Sequence, residues 1–223
     1  MEGREYRPFR ALYKDWPLLV ILGAMIAASI VVYPHLPERV PVHWNAAGGV
    51  DRYGSRFTGA FAIPLLTVGI YAGMLLMPLI DPKRANYGRF LTAYRAIRAG
   101  LVVFLALLYG ATMAVSLGYP INISRVVPFA LGLLFILTGN FLTQIRFNYF
   151  TGIRTPWTLA SEEVCRKTHR FGGFIFVIAG VVTVLAAFLP APVNFAVAVG
   201  SIMAAAVASF VYSAVIYKKL NRG

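Results

Sequence analysis

Six long stretches of this chain contain no Asp, Glu, Lys, Arg or His, and that feature decides the class of fold. They run approximately from Trp16 to Tyr33, Gly59 to Ile80, Ala99 to Tyr119, Val126 to Gln144, Gly172 to Leu189 and Val193 to Tyr217. A bilayer core about 30 Å thick is crossed by about 20 apolar helical residues, because no water is there to pair an exposed backbone amide. Each stretch is long enough. Only 13% of the residues are charged and the mean hydropathy is +0.70, against roughly a quarter charged in an ordinary soluble domain. The expectation is an all-α integral membrane protein, a single six-helix domain over residues 1–223.

Charge placement orients the chain. With the N-terminus in the cytoplasm, that side holds seventeen of the 21 Lys and Arg residues, and the outer side only Arg39, Arg52, Arg56 and Arg125. Loops that stay inside keep the positive charge, so the reading is N-in, C-in. The net charge of +13 then reports topology. It does not mark a nucleic-acid surface, because the basic residues alternate with apolar runs and do not line one polar face. Arg4, Arg7, Arg10 and Lys14 before the first stretch superficially resemble a signal peptide. The stretch is long enough to span, however, and runs into Tyr33-Pro34-His35 with no small-x-small processing site, which makes it an uncleaved first span.

Trp16, Tyr119, Tyr212 and Tyr217 lie near span boundaries, as interfacial anchors do. The basic segment Asp81 to Arg98 reads as a solvated, headgroup-facing connection. The single cysteine, Cys165, leaves no internal disulfide or cysteine metal cluster. In the sixth span Ala196, Gly200, Ala204 and Ala208 put small side chains on one face, suited to close helix contact, first within the chain and otherwise with a second copy.

Two loops exceed what a helical hairpin requires. The outer one, residues 34–58, has prolines flanking an extended piece, Val40 to Trp44, followed by Asn45, Gly48, Gly49 and Gly54, which permit turns. It reads as a compact extracytoplasmic cap. The inner one, residues 145–171, has Thr158 placed to cap a short amphipathic helix at about 159–171 on the inner membrane surface, in which Val164, Thr168 and Phe171 share a face. Gly172 and Gly173 would then let the chain turn into the fifth span.

The inner loop contains Asn148-Tyr149-Phe150, then Gly152-Ile153-Arg154-Thr155-Pro156-Trp157-Thr158-Leu159, Ser161-Glu162-Glu163-Val164 and Lys167-Thr168-His169. This pattern closely resembles the SdpI family of bacterial immunity proteins. One departure is Cys165, where the family leads one to expect tryptophan. The outer loop, in its Leu36-Pro37, Pro41-Val42-His43-Trp44-Asn45, Gly49, Asp51 and Gly54-Ser55 positions, resembles a short domain of unknown function found at the front of such proteins. The resemblance implies a multi-pass protein of a prokaryotic cell membrane that protects against a secreted antibacterial peptide. It also implies signalling by holding a soluble transcriptional repressor at the membrane. The expected recognition residues are His43, Trp44, Asn45, Asp51, Tyr53 and Ser55 outside. The expected partner-loop residues are Asn148, Arg154, Thr155, Pro156, Trp157, Glu162, Glu163 and His169 inside.

Chemistry beyond recognition has little support. His43 has His35 eight residues before it and Asp51 eight after, but the spacing matches no metal motif, and hydrogen bonding within the cap is the expected role. No metal or other cofactor is expected. Arg154 could grip a phosphate or a partner carboxylate, although pairing with Glu162 or Glu163 to hold the loop is the simpler role. No HExxH, nucleophile elbow or paired-carboxylate motif points to an enzyme. A proton relay places ionisable groups inside spans, and none is read there. The alternative to an immunity protein is a transporter of a lipid or amphipathic solute, with Pro64, Pro78 and Pro128 bending their spans.

Overall fold

The computed structural model describes residues 6–221; Arg4 lies outside them. Helix α1 (Pro8–Lys14) leads through Asp15 into α2 (Trp16–Val32). Strands β1 (Arg39–Trp44) and β2 (Val50–Ser55) follow, then α3 (Arg56–Ile80), α4 (Leu91–Ser116) and α5 (Ile123–Leu142). The chain ends with α6 (Pro156–Ala160), α7 (Glu162–Ala186) and α8 (Val193–Leu220). Six of these helices, α2, α3, α4, α5, α7 and α8, are long and apolar enough to cross a bilayer, as expected of a multi-pass membrane protein. Consecutive crossings put the β1–β2 hairpin and the α5–α7 connection at opposite ends of the bundle.

Between apolar helices burial of apolar surface gives little drive, so close backbone approach and polar contacts hold the bundle. The closest approach joins α5 and α7 through two glycine pairs. A Cβ on Gly132 would stand 2.7 Å from the Gly180 carbonyl oxygen, and one on Gly139 2.7 Å from that of Gly173. On the other side of the bundle Ser29, fully buried, ties three helices. Its hydroxyl meets the Tyr109 hydroxyl at 2.8 Å and donates toward the carbonyl oxygens of Ala60 (2.7 Å) and Met25 (2.9 Å). Thr183 of α7 meets Ser201 of α8 at 3.0 Å.

Four expectations are corrected. First, no separate surface helix occupies 159–171. Ser161 caps α7 through the Val164 N–H, and α7 runs unbroken from Glu162 to Ala186; Gly172 and Gly173 are interior glycines used for packing, not a turn. Second, the Asp81–Arg98 segment is solvated only in part, as at Pro82 to Ala85 and Arg89. Tyr87, Phe90, Ala93 and Tyr94 are buried there in one cluster with Leu142 and Ile145. Third, α4 starts eight residues before Ala99 and takes in Arg95 and the fully buried Arg98, so a charge lies inside the bundle where none was expected. Fourth, the small-residue face of α8 points outward. Ala196, Gly200 and Ala204 are exposed, a Cβ on Gly200 would meet nothing within 4 Å, and the inward face carries Asn194, Ala198, Ala205, Ser209 and Ser213.

Candidate functional site

At one end of the bundle the hairpin pairs β1 with β2 antiparallel, from Arg39 opposite Ser55 to Trp44 opposite Val50, with irregular register between Pro41 and Trp44. Asn45 builds the turn. Its side-chain oxygen accepts from the Ala47 and Gly49 N–H groups, both at 3.0 Å. Gly48 adopts φ +83° there, a left-handed conformation that favours glycine. Ser55 accepts from the Thr58 N–H at 3.2 Å and so caps α3. Asn45 and Ser55 are therefore builders of the cap. Of the residues expected to recognise a ligand, those not spent on building the cap are the exposed Tyr53, the partly exposed Trp44, and His43 with Asp51, whose side chains meet at 2.6 Å (Nδ1 to Oδ1) on the surface. His35 instead turns back to its own helix, at the Val31 carbonyl. Among the described residues no three His, Cys, Asp or Glu side chains come together to hold a metal.

At the other end the 143–161 connection is stitched by buried polar side chains. Asn148 is fully buried and uses both ends of its amide. Its oxygen accepts from the Phe150 (2.9 Å) and Thr151 (2.6 Å) N–H groups, and its nitrogen donates to the Arg146 (2.8 Å) and Thr151 (3.1 Å) carbonyls. Asp81, just past α3, accepts from the Tyr149 N–H at 2.9 Å, the Lys83 N–H at 2.7 Å and the Tyr87 hydroxyl at 3.0 Å. Burial raises the Tyr87 phenol well above its ordinary range, so it stays protonated and serves as a donor. The connection after α3 and the connection after α5 are therefore one folded unit.

His169 closes that unit from α7. Its Nε2 accepts from the Ile153 N–H at 3.1 Å, which leaves the proton on Nδ1, facing the Ile145 carbonyl at 3.4 Å. Gly152 fits over the ring only because it lacks a side chain: φ is +102° and a Cβ would stand 2.5 Å from Nε2. Thr155 and Thr158 form a reciprocal cap on α6, with Pro156 in its first turn, and Thr155 donates to Ser213 of α8 at 3.0 Å. Trp157 packs edge-on against Phe210 at 5.1 Å.

Arg154 stands apart from this satisfied network. Its Nη1 donates to the Cys165 Sγ at 3.4 Å, while Nε and Nη2 are shielded from solvent and have no hydrogen-bond partner among the described residues. The expected pairing with Glu162 or Glu163 is absent. Glu163 pairs instead with Lys167 one turn on, at 2.8 Å, because both lie on the exposed side of α7. Thus Asn148, Arg154, Thr155 and His169 come together, Pro156 and Trp157 flank them on α6, and Glu162 and Glu163 form an outer rim.

Sequence reasoning missed a third cluster. Asp15, between α1 and α2, is engaged by the fully buried Arg98 of α4 through Nη2 and by Arg95 Nε at 3.0 Å. Arg98 also lies over the Tyr71 and Tyr94 rings, at 5.6 and 5.5 Å, with Nε and Nη1 making no hydrogen bond to another described residue. A signal was available. The chain has only eight acidic residues, and Asp15 and Asp81 each sit at the end of an apolar run, where an acid needs a partner.

Comparison with known proteins matches this division of the chain. Residues 144–213 match the SdpI/YfhL protein family, and residues 20–68 match a domain of unknown function, DUF1648. The chain is 26% identical over 203 residues to the immunity protein SdpI of Bacillus subtilis (strain 168), covering 91% of this chain and 95% of that protein. It is 40% identical over 52 residues to the uncharacterized membrane protein YbgB of the same organism, covering 22% of this chain and 57% of that one. No solved structure matches. With the six apolar helices, these matches place the chain in a bacterial plasma membrane as a multi-pass protein.

Proposed function

We propose, from the premise that residues 144–213 are those of an SdpI/YfhL-family protein, that this chain is a membrane immunity protein protecting its cell against a secreted antibacterial peptide. The observation that carries the reading is the match along 91% of the chain to a protein named for immunity. The same reading puts both termini in the cytoplasm, the hairpin outside with His43, Trp44, Asp51 and Tyr53 available to the peptide, and the Asn148–His169 unit inside.

The inner unit has the properties of a docking platform. Its backbone is fixed by buried bonds, and Glu162, Glu163 and Lys167 are displayed on its rim. A soluble repressor held at the membrane would meet that rim, while the Arg154 Nε and Nη2 atoms lie beneath it, shielded from solvent and unspent among the described residues. Arg154 is also the informative residue to remove. Its one hydrogen bond among the described residues goes to a thiol, a weak acceptor, so its loss costs the fold little.

The test is survival of a sensitive bacterium expressing the chain, challenged with the secreted peptides of related species. The unaltered chain protects, and Arg154→Ala at equal membrane abundance does not. Protection by neither, against any peptide tried, removes the immunity reading and leaves solute flux in proteoliposomes, the mark of a transporter, as the next measurement.

A further inference from the structure

Two cavities meet at the hairpin end of the bundle, and both are lined by Ile121 and Arg125. The first, about 460 Å³, is a polar mouth between Trp44 and Gly48 of the hairpin and Asn122 and Ser124 at the start of α5. The second, about 640 Å³, is a trench between α4 and α5. Apart from Arg125, every residue lining the trench is apolar or glycine. Its floor is cut low by Gly110, Ala111 and Ala114 of α4, and a Cβ on Gly110 would meet nothing within 4 Å.

Arg125 sits where the two cavities join. It is exposed, and its guanidinium makes no hydrogen bond or ion pair with another described residue. The hairpin acid Asp51 is held by His43 and lines neither cavity. A cation without a partner, at the head of an apolar trench on the membrane-facing side of a span, is complementary to an amphiphile with an anionic polar end and a long apolar body.

We propose that this junction is a binding site for an anionic phospholipid. The phosphate pairs with Arg125 in the polar mouth, beside Asn122 and Ser124, and one acyl chain lies in the trench over Gly110. A bilayer supplies this occupant at high local concentration. An unpaired arginine at the interface selects an anionic headgroup over a zwitterionic one by about fivefold, the worth of one basic residue near an anionic surface. The site is independent of the immunity reading, because it needs no peptide and can be measured on the purified chain.

Trp44, which lines the mouth, is the reporter. With Trp16→Phe and Trp157→Phe it becomes the one tryptophan. The protein is placed in phosphatidylcholine vesicles containing increasing fractions of phosphatidylglycerol or phosphatidylcholine that carry a nitroxide near the glycerol. The expected result is half-maximal quenching of Trp44 at about fivefold less labelled phosphatidylglycerol than labelled phosphatidylcholine. Arg125→Gln removes that preference, and Gly110→Leu, which fills the trench, weakens quenching by both lipids. Native mass spectrometry of the chain with its tryptophans unaltered gives a second readout, in which retained phosphatidylglycerol falls in Arg125→Gln. Equal quenching by the two lipids, or a preference that survives Arg125→Gln, overturns the proposal. Absence of quenching by either overturns it too, and leaves the trench to an apolar peptide segment.

Discussion

Removing Arg98 tests whether the cluster at the start of α4 is held together electrostatically. In Arg98→Ala the Asp15 carboxylate, 3% exposed, keeps only Arg95, whose side chain is 34% exposed. Two unit charges 4 Å apart interact by about 4 kcal/mol at an effective dielectric of 20, and breaking a buried pair from one side costs about 3–5 kcal/mol. The expected destabilisation of Arg98→Ala is therefore about 3–5 kcal/mol. Asp15→Ala should cost a similar amount, because it strands a guanidinium with no exposed surface. The combination Asp15→Leu with Arg98→Met removes both charges and should recover most of the loss, since an apolar pair of similar volume often equals a buried ion pair. Equilibrium unfolding in mixed micelles, followed by tryptophan fluorescence with Trp16 adjacent to Asp15, measures all three. Single-variant losses under about 1 kcal/mol, as at exposed pairs, would refute the argument. So would a double variant as costly as the sum of the two singles.

Three further substitutions test local packing. Gly152→Ala should cost about 1–3 kcal/mol, because alanine at φ +102° is strained and its Cβ displaces the His169 ring from the Ile153 N–H; faster protease cleavage of the connection in opened vesicles is the direct readout. Gly139→Ala should cost about 1–3 kcal/mol by forcing α5 away from the Gly173 carbonyl. Gly200→Ala, with open space around it, should change unfolding by less than about 0.5 kcal/mol; equal effects at the two positions would contradict the glycine-pair packing.

The glycine pairs also constrain how the two ends of the bundle could communicate. At the hairpin end, α5 touches the cap where Ser124 meets Gly48 and is tied to α8 by the Asn194 side chain, which donates to the Ser124 carbonyl at 2.7 Å. At the other end, α7 carries His169 into the Ile153–Ile145 connection. Backbones in contact at two levels cannot slide without opening both, so α5 and α7 move as one body. A signal between the ends would therefore be a tilt of that body against α4. It could not be a piston motion of one helix, and it would need two stable packings of the α4–α5 face to be more than a passive deformation.

How far the residues reveal their own arrangement differs between the bundle and the site. Six spans were legible because lipid demands length and apolarity, and both are properties of one segment at a time. The hairpin was legible for a similar reason, since Asn45 and Gly48 carry their turn geometry locally. The start of α4 was not. A helix that enters the membrane with Arg95 and Arg98 is stable only because Asp15, eighty residues earlier, is brought beside it, and no local window contains that pairing. The same holds for Glu162 to Phe171, read as a surface helix because seven of its ten residues are charged or polar. Val164, Cys165, Thr168 and His169 are buried there by the 145–155 connection folding over them, so the amphipathic face meets protein where headgroups were expected. Pattern alone cannot tell a helix lying on a membrane from one whose first turns are roofed by its own loop; here Asn148 and Gly152, which shape that roof, decide between them.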